Sequence, residues 1–220
     1  MNLIKHYLEL MLNYIDNGTF FRDPMKLLYV IFGIVGFAAP LAYLYYIFDE
    51  WDHLIPSFLD TWPKMTLGLT YILIFVYLVA IAYAHLVFWL HRKDKLHQTV
   101  RVGDKIVAIP VYADFIQCAG EAAGIFPALA LLGSYILVFI IGLLNGFKFI
   151  DYGVMDFGDY LEAVVVLILA FVLLAIACFI IGYLIILVAH VVSEQLRIKA
   201  MLANDVRDLG DIHRAAVMAE

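Results

Sequence analysis

Charge is scarce in this chain. Only 15% of its 220 residues are Asp, Glu, Lys or Arg, where a soluble domain carries about 25%. Cysteine is scarce too. Cys118 and Cys178 stand alone, which excludes a disulfide framework and a thiolate metal cluster. Lys and Arg number 14 against 20 Asp and Glu, for a formal net charge of −6. That deficit argues against nucleic acid as a partner, because neutralising phosphates takes a basic surface. Catalytic signatures are missing as well: no G-x-S-x-G, H-E-x-x-H, C-x-x-C, Walker or dinucleotide-binding glycine loop occurs. No cofactor and no metal site is expected.

What is present is apolar. Hydrophobic residues make up 65% of the chain, concentrated over 27–48, 65–90, 122–144 and 163–192. A hydrocarbon core of about 30 Å takes roughly 20 helical residues. The first and third blocks fit that length, and the second and fourth are long enough to tilt or project. The expectation is an all-α integral membrane protein with four transmembrane helices over 24–192. Asp23 is placed to cap the first, with Pro24 in its first turn.

Lys and Arg set the orientation. Twelve of the 14 lie before the first block, between the second and third, or after the fourth, leaving only Lys64 and Lys148 for the other side. By the positive-inside rule both termini and the 91–121 loop face the cytoplasm, most simply across a bacterial inner membrane. Tyr43, Tyr45, Tyr46, Trp51 and Trp62 bracket the first external loop. Trp89 falls where the second span reaches the inner headgroups.

Three pieces lie outside the spans. Residues 1–18 place polar side chains at 2, 5, 6, 9, 13 and 16, the pattern of an amphipathic interfacial helix with a wide apolar face. They lack the compact apolar core and cleavage site of a signal peptide and read as mature protein. The 91–121 loop suggests a small hairpin over 100–109. Beyond Pro110 a helix leads into the third span, with Asp114, Gln117 and Glu121 on one face. Residues 193–220 read as a helical tail that extends the fourth span to about Asn204 and breaks at Gly210. Leu196, Met201, Leu202, Val206, Leu209 and Ile212 give this tail an apolar side.

The spans hold almost no ionisable groups. His85 and His190 each fall a turn or two before a cytoplasmic end, and Asp114 and Glu121 approach from the same side. Together these four are the candidate functional polar residues. No Lys, Arg, Asp or Glu sits at mid-bilayer, which argues against a proton pump or ion-coupled transporter. Gly33, Gly36, Gly120, Gly124, Gly142 and Gly146 are the candidate helix-packing positions, since small residues let backbones approach. Three functions remain open. The first is a non-catalytic membrane subunit or scaffold, working through helix–helix and cytoplasmic-face contacts with the bilayer, its own copies or other membrane subunits. A small ion channel or passive transporter is the second. The third is a haem- or metal-binding enzyme or electron carrier using His85 and His190. A scaffold is expected to satisfy Asp114 and Glu121 with basic side chains of the loop or tail, whereas a channel is expected to run a wet path from Glu121 past Ser134 and Asn145.

Overall fold

Long apolar runs hydrogen-bond their own backbone when no water is at hand, so helix is the only element such a sequence sustains across a bilayer. The computed structural model describes residues 19–54, 61–96, 108–151 and 156–219. It consists of α1 (Thr19–Asp49), a single turn α2 (Trp51–Leu54), α3 (Thr61–Lys95), α4 (Ala108–Asp151) and α5 (Phe157–Ala219). Four of these, α1, α3, α4 and α5, are long and apolar enough to cross a membrane. The protein is an all-α, four-helix membrane protein.

The expected fold class carried a fifth segment, a separate amphipathic helix over 1–18, and this is corrected. The fold is built of four long apolar helices rather than five segments, and the first begins at Thr19. Residues 1–18 lie outside the described residues. Asp23 and Pro24 fall inside α1 instead of starting it, and Asp23 pairs with Lys26 one turn on at 3.1 Å. The physical reason is cooperativity: once nucleated, a helix gains one hydrogen bond per added residue and runs past a weak stop signal.

The same extension shows elsewhere. Ala108 and Ile109, expected in a hairpin strand, are the first residues of α4; the rest of that hairpin lies outside the described residues. Pro110 follows them in the first turn, where a missing N–H leaves no intrahelical bond unmade. Gly210 does not break α5, which continues to Ala219.

The chain divides into two compact units. Unit 1 comprises Met1–Gly33, Val87–Ala122 and Ile185–Glu220, and unit 2 comprises Ile34–Leu86 and Ala123–Leu184. Their charges differ sharply. Unit 1 holds twelve basic and twelve acidic residues, while unit 2 holds two basic and eight acidic ones, so the whole net charge of −6 resides in unit 2.

An aromatic cluster packs unit 1. The Tyr29 ring lies 5.3 Å from Trp89 and 5.6 Å from Phe115. Phe32 stacks on Trp89 at 5.4 Å. Edge-to-face and offset rings add to area burial through their quadrupoles. Trp89 is only 1% exposed, so it is a core residue and not a headgroup anchor. Of the rings flanking the segment between α1 and α3, Tyr45, Tyr46, Trp51 and Trp62 are exposed, whereas Tyr43 is half-buried.

Unit 2 pairs glycines with tyrosines. A Cβ at Gly133 would collide with the Tyr77 ring, and one at Gly146 with the Tyr160 ring. The missing side chains let each ring cross to the neighbouring helix. There the Tyr77 hydroxyl donates to the Leu129 carbonyl at 2.7 Å, and that of Tyr160 to the Leu143 carbonyl at 3.2 Å. Buried Asn145 accepts from the Thr66 hydroxyl at 2.7 Å. These polar groups thus find partners within the unit, as a lipid environment requires.

Candidate functional site

Asp114, Gln117 and Glu121 recur at i, i+3 and i+7 on α4, a spacing that puts them on one face. On α5, His190 and Arg197 repeat the seven-residue interval. Within unit 1 the two intervals meet in opposite directions. Glu121 faces His190, with Nε2 to Oε1 at 3.0 Å, and Asp114 accepts from Arg197. Gly120 allows this approach, because a Cβ there would overlap the Ala189 Cβ.

Glu121 is the centre of the cluster. One of its oxygens accepts from the Arg92 guanidinium on α3, and the other faces His190 and accepts from Gln117 at 3.0 Å. Gln117 in turn accepts from Arg197 at 2.7 Å. The result is a continuous polar chain, Arg92–Glu121–Gln117–Arg197–Asp114, joining α3, α4 and α5. The Glu121 side chain is 12% exposed, against 32% for Arg92 and 39% for Arg197. The Glu121 carboxylate is therefore the most desolvated charge of the cluster, and the two guanidinium groups are more exposed. Arg92 also lies over the Phe88 ring, 5.4 Å from its centroid.

The structure brings Asp114, Glu121 and His190 together in unit 1, whereas His85 belongs to unit 2. There its ring covers Gly36 and meets Phe126 edge-on at 4.9 Å. Among the glycines, Gly33 is buried. Gly120 takes Ala189, a Cβ on Gly182 would press on the Gly124 carbonyl at 2.7 Å, Gly146 takes Tyr160, and Gly142 has open space beside it. Arg92 and Arg197 are not among the candidates that sequence reasoning yields. A signal for one of them exists: Arg197 stands two turns beyond His190, the interval that separates Asp114 from Glu121.

Both carboxylates are engaged by guanidinium groups. Among the described residues, no group of three or more His, Cys, Asp or Glu converges as a metal site. Cys118 accepts from the Tyr29 hydroxyl at 3.7 Å and is buried. What the arrangement does is hold three helices in register through charge-assisted hydrogen bonds. No protein-family model matches the chain, and neither a curated protein nor a solved structure matches it.

Proposed function

We propose that the protein is a non-catalytic membrane subunit or scaffold, assembling with its own copies or with other membrane subunits through the tail of α5. One observation carries this reading. α5 has 63 residues, enough for about 94 Å of rise at 1.5 Å per residue, and a bilayer core uses only about 30 Å. Along its final stretch Ile198, Leu202, Val206, Leu209 and Ile212 are each more than 60% exposed. Apolar surface that neither lipid nor the chain's own core covers favours a protein partner. The polar cluster supports the same reading, since Asp114 and Glu121 are satisfied by basic side chains of the tail and of the α3 end. The positive-inside rule puts these on the cytoplasmic face, and the bacterial inner membrane is the location this sidedness suits.

The test is the size of the complex formed by the full chain, extracted from membranes and reconstituted in nanodiscs. The parent is expected to run larger than one 24.9 kDa chain. Leu202→Glu with Leu209→Glu should reduce it to a monomer that still inserts. A monomeric parent without associated protein sinks the scaffold, and ion flux in liposomes whose selectivity changes in Glu121→Gln would put a channel in its place.

A further inference from the structure

Within unit 1 a cavity of about 260 Å³ is lined by Tyr29, Arg92, Lys95, Asp114, Gln117 and Arg197, with Leu96 and Cys118 closing its apolar side. It is smaller than the roughly 300–1,000 Å³ of drug-sized ligand sites. At about 30 Å³ per water it has room for roughly eight waters, or for a headgroup-sized anion and a few of them.

Its charge is unbalanced. Arg92, Lys95 and Arg197 face the cavity, against the carboxylate of Asp114, with Glu121 behind Arg92. Counting only the Arg, Lys, Asp and Glu groups, three cations against two carboxylates leave one positive charge. Lys95 makes no ion pair among the described residues. The two arginines are anchored but not saturated: each guanidinium spends only one terminal nitrogen, Nη2, on its protein partners, and a guanidinium has five N–H donors. Glu121, Gln117 and Asp114 therefore hold two planar donor forks in place, which removes much of the ordering cost of capturing an anion. The Tyr29 hydroxyl and the Gln117 amide add polar groups without adding negative charge.

We infer that this cavity is a binding site for a phosphate-bearing anion, with Lys95 and the outward N–H groups of Arg92 and Arg197 as its donors. A monoanionic phosphodiester matches both the single uncompensated charge and the bidentate geometry that arginine prefers. Basic pockets between membrane helices take anionic lipid headgroups by this chemistry. A free phosphate group offers the same oxygens.

The experiment uses the full chain, delipidated in a neutral detergent, with thermal unfolding followed during titration. The probes are dioleoylphosphatidylglycerol, dioleoylphosphatidylcholine and inorganic phosphate. Saturable stabilisation by phosphatidylglycerol, absent with phosphatidylcholine and with inorganic phosphate, identifies a lipid headgroup. Saturation by inorganic phosphate as well identifies a free phosphate group. In either case Lys95→Ala should weaken binding about tenfold, the worth of one charge-assisted hydrogen bond, and Lys95→Arg should restore it. Lys93 carries the same charge two residues away and does not line the cavity, so Lys93→Ala is expected to bind like the parent. The site is refuted if no anion saturates, if phosphatidylcholine matches phosphatidylglycerol, or if Lys93→Ala weakens binding as much as Lys95→Ala.

Discussion

At the scale of single residues, the two carboxylates of α4 differ in what their loss should cost. Glu121 is the less exposed and accepts from two donors besides facing His190, whereas Asp114 is 22% exposed and its Arg197 partner 39%. Removing the charge of Glu121 leaves the Arg92 guanidinium partly buried without its counter-ion, and such losses run to about 1–3 kcal/mol where solvent screens part of the effect. Glu121→Gln is expected to lower the thermal unfolding midpoint in detergent clearly more than Asp114→Asn does. Equal shifts would mean that the cluster has no centre at Glu121. The face carrying these residues was legible from their spacing, and so was their need for donors. Which donors was not legible, because that depends on how far α5 runs past His190 before Arg197. His85 illustrates the limit from the other side. A histidine near a helix end looks like His190 in sequence, yet its surroundings are a glycine and a phenylalanine ring, and only packing reveals that.

At the scale of elements, glycine positions that look alike in sequence have opposite consequences. A methyl group at Gly120 would overlap Ala189, and one at Gly182 would press on the Gly124 carbonyl. Backbone cannot yield as a flexible side-chain tip does, and overpacking costs typically about 1–3 kcal/mol. A methyl group at Gly142 or Gly210 would meet nothing within 4 Å, so alanine there gains helix propensity of about 1 kcal/mol or less. Gly120→Ala and Gly182→Ala should therefore unfold at lower temperature than the parent, with Gly142→Ala and Gly210→Ala equal to it or higher. A destabilised Gly142→Ala would reveal a contact at that face. The small-residue pattern identified Gly120 and Gly142 without ranking them and passed over Gly182, since the effect depends on the neighbour across the interface. Helix ends were the least legible feature: Gly210 and the Asp23–Pro24 pair are local signals, and each is weaker than the summed hydrogen bonds of the helix around it.

At the scale of the whole molecule, the division into units follows the division of charge. Unit 1 contains twelve of the 14 Lys and Arg residues although it is assembled from three separate stretches of chain, and unit 2 keeps only Lys64 and Lys148. The four apolar blocks were legible because length and hydropathy are set by bilayer thickness. The alternation of basic segments was legible because it recurs at each crossing. Those two features together predict sidedness, which single cysteines test in a background with Cys118 and Cys178 replaced by serine. Probes at Lys95 and Arg207, both in unit 1, are expected to resist a membrane-impermeant maleimide added outside sealed cells and to react once the membrane is opened. Probes at Glu50 and Asp156, both in unit 2, should react from outside without that step. The rule behind this expectation concerns Lys and Arg rather than net charge, and unit 1 is a sharp case of it, since its twelve acidic residues cancel its twelve basic ones. Labelling at Lys95 in intact cells would overturn the cytoplasmic placement of the basic segments.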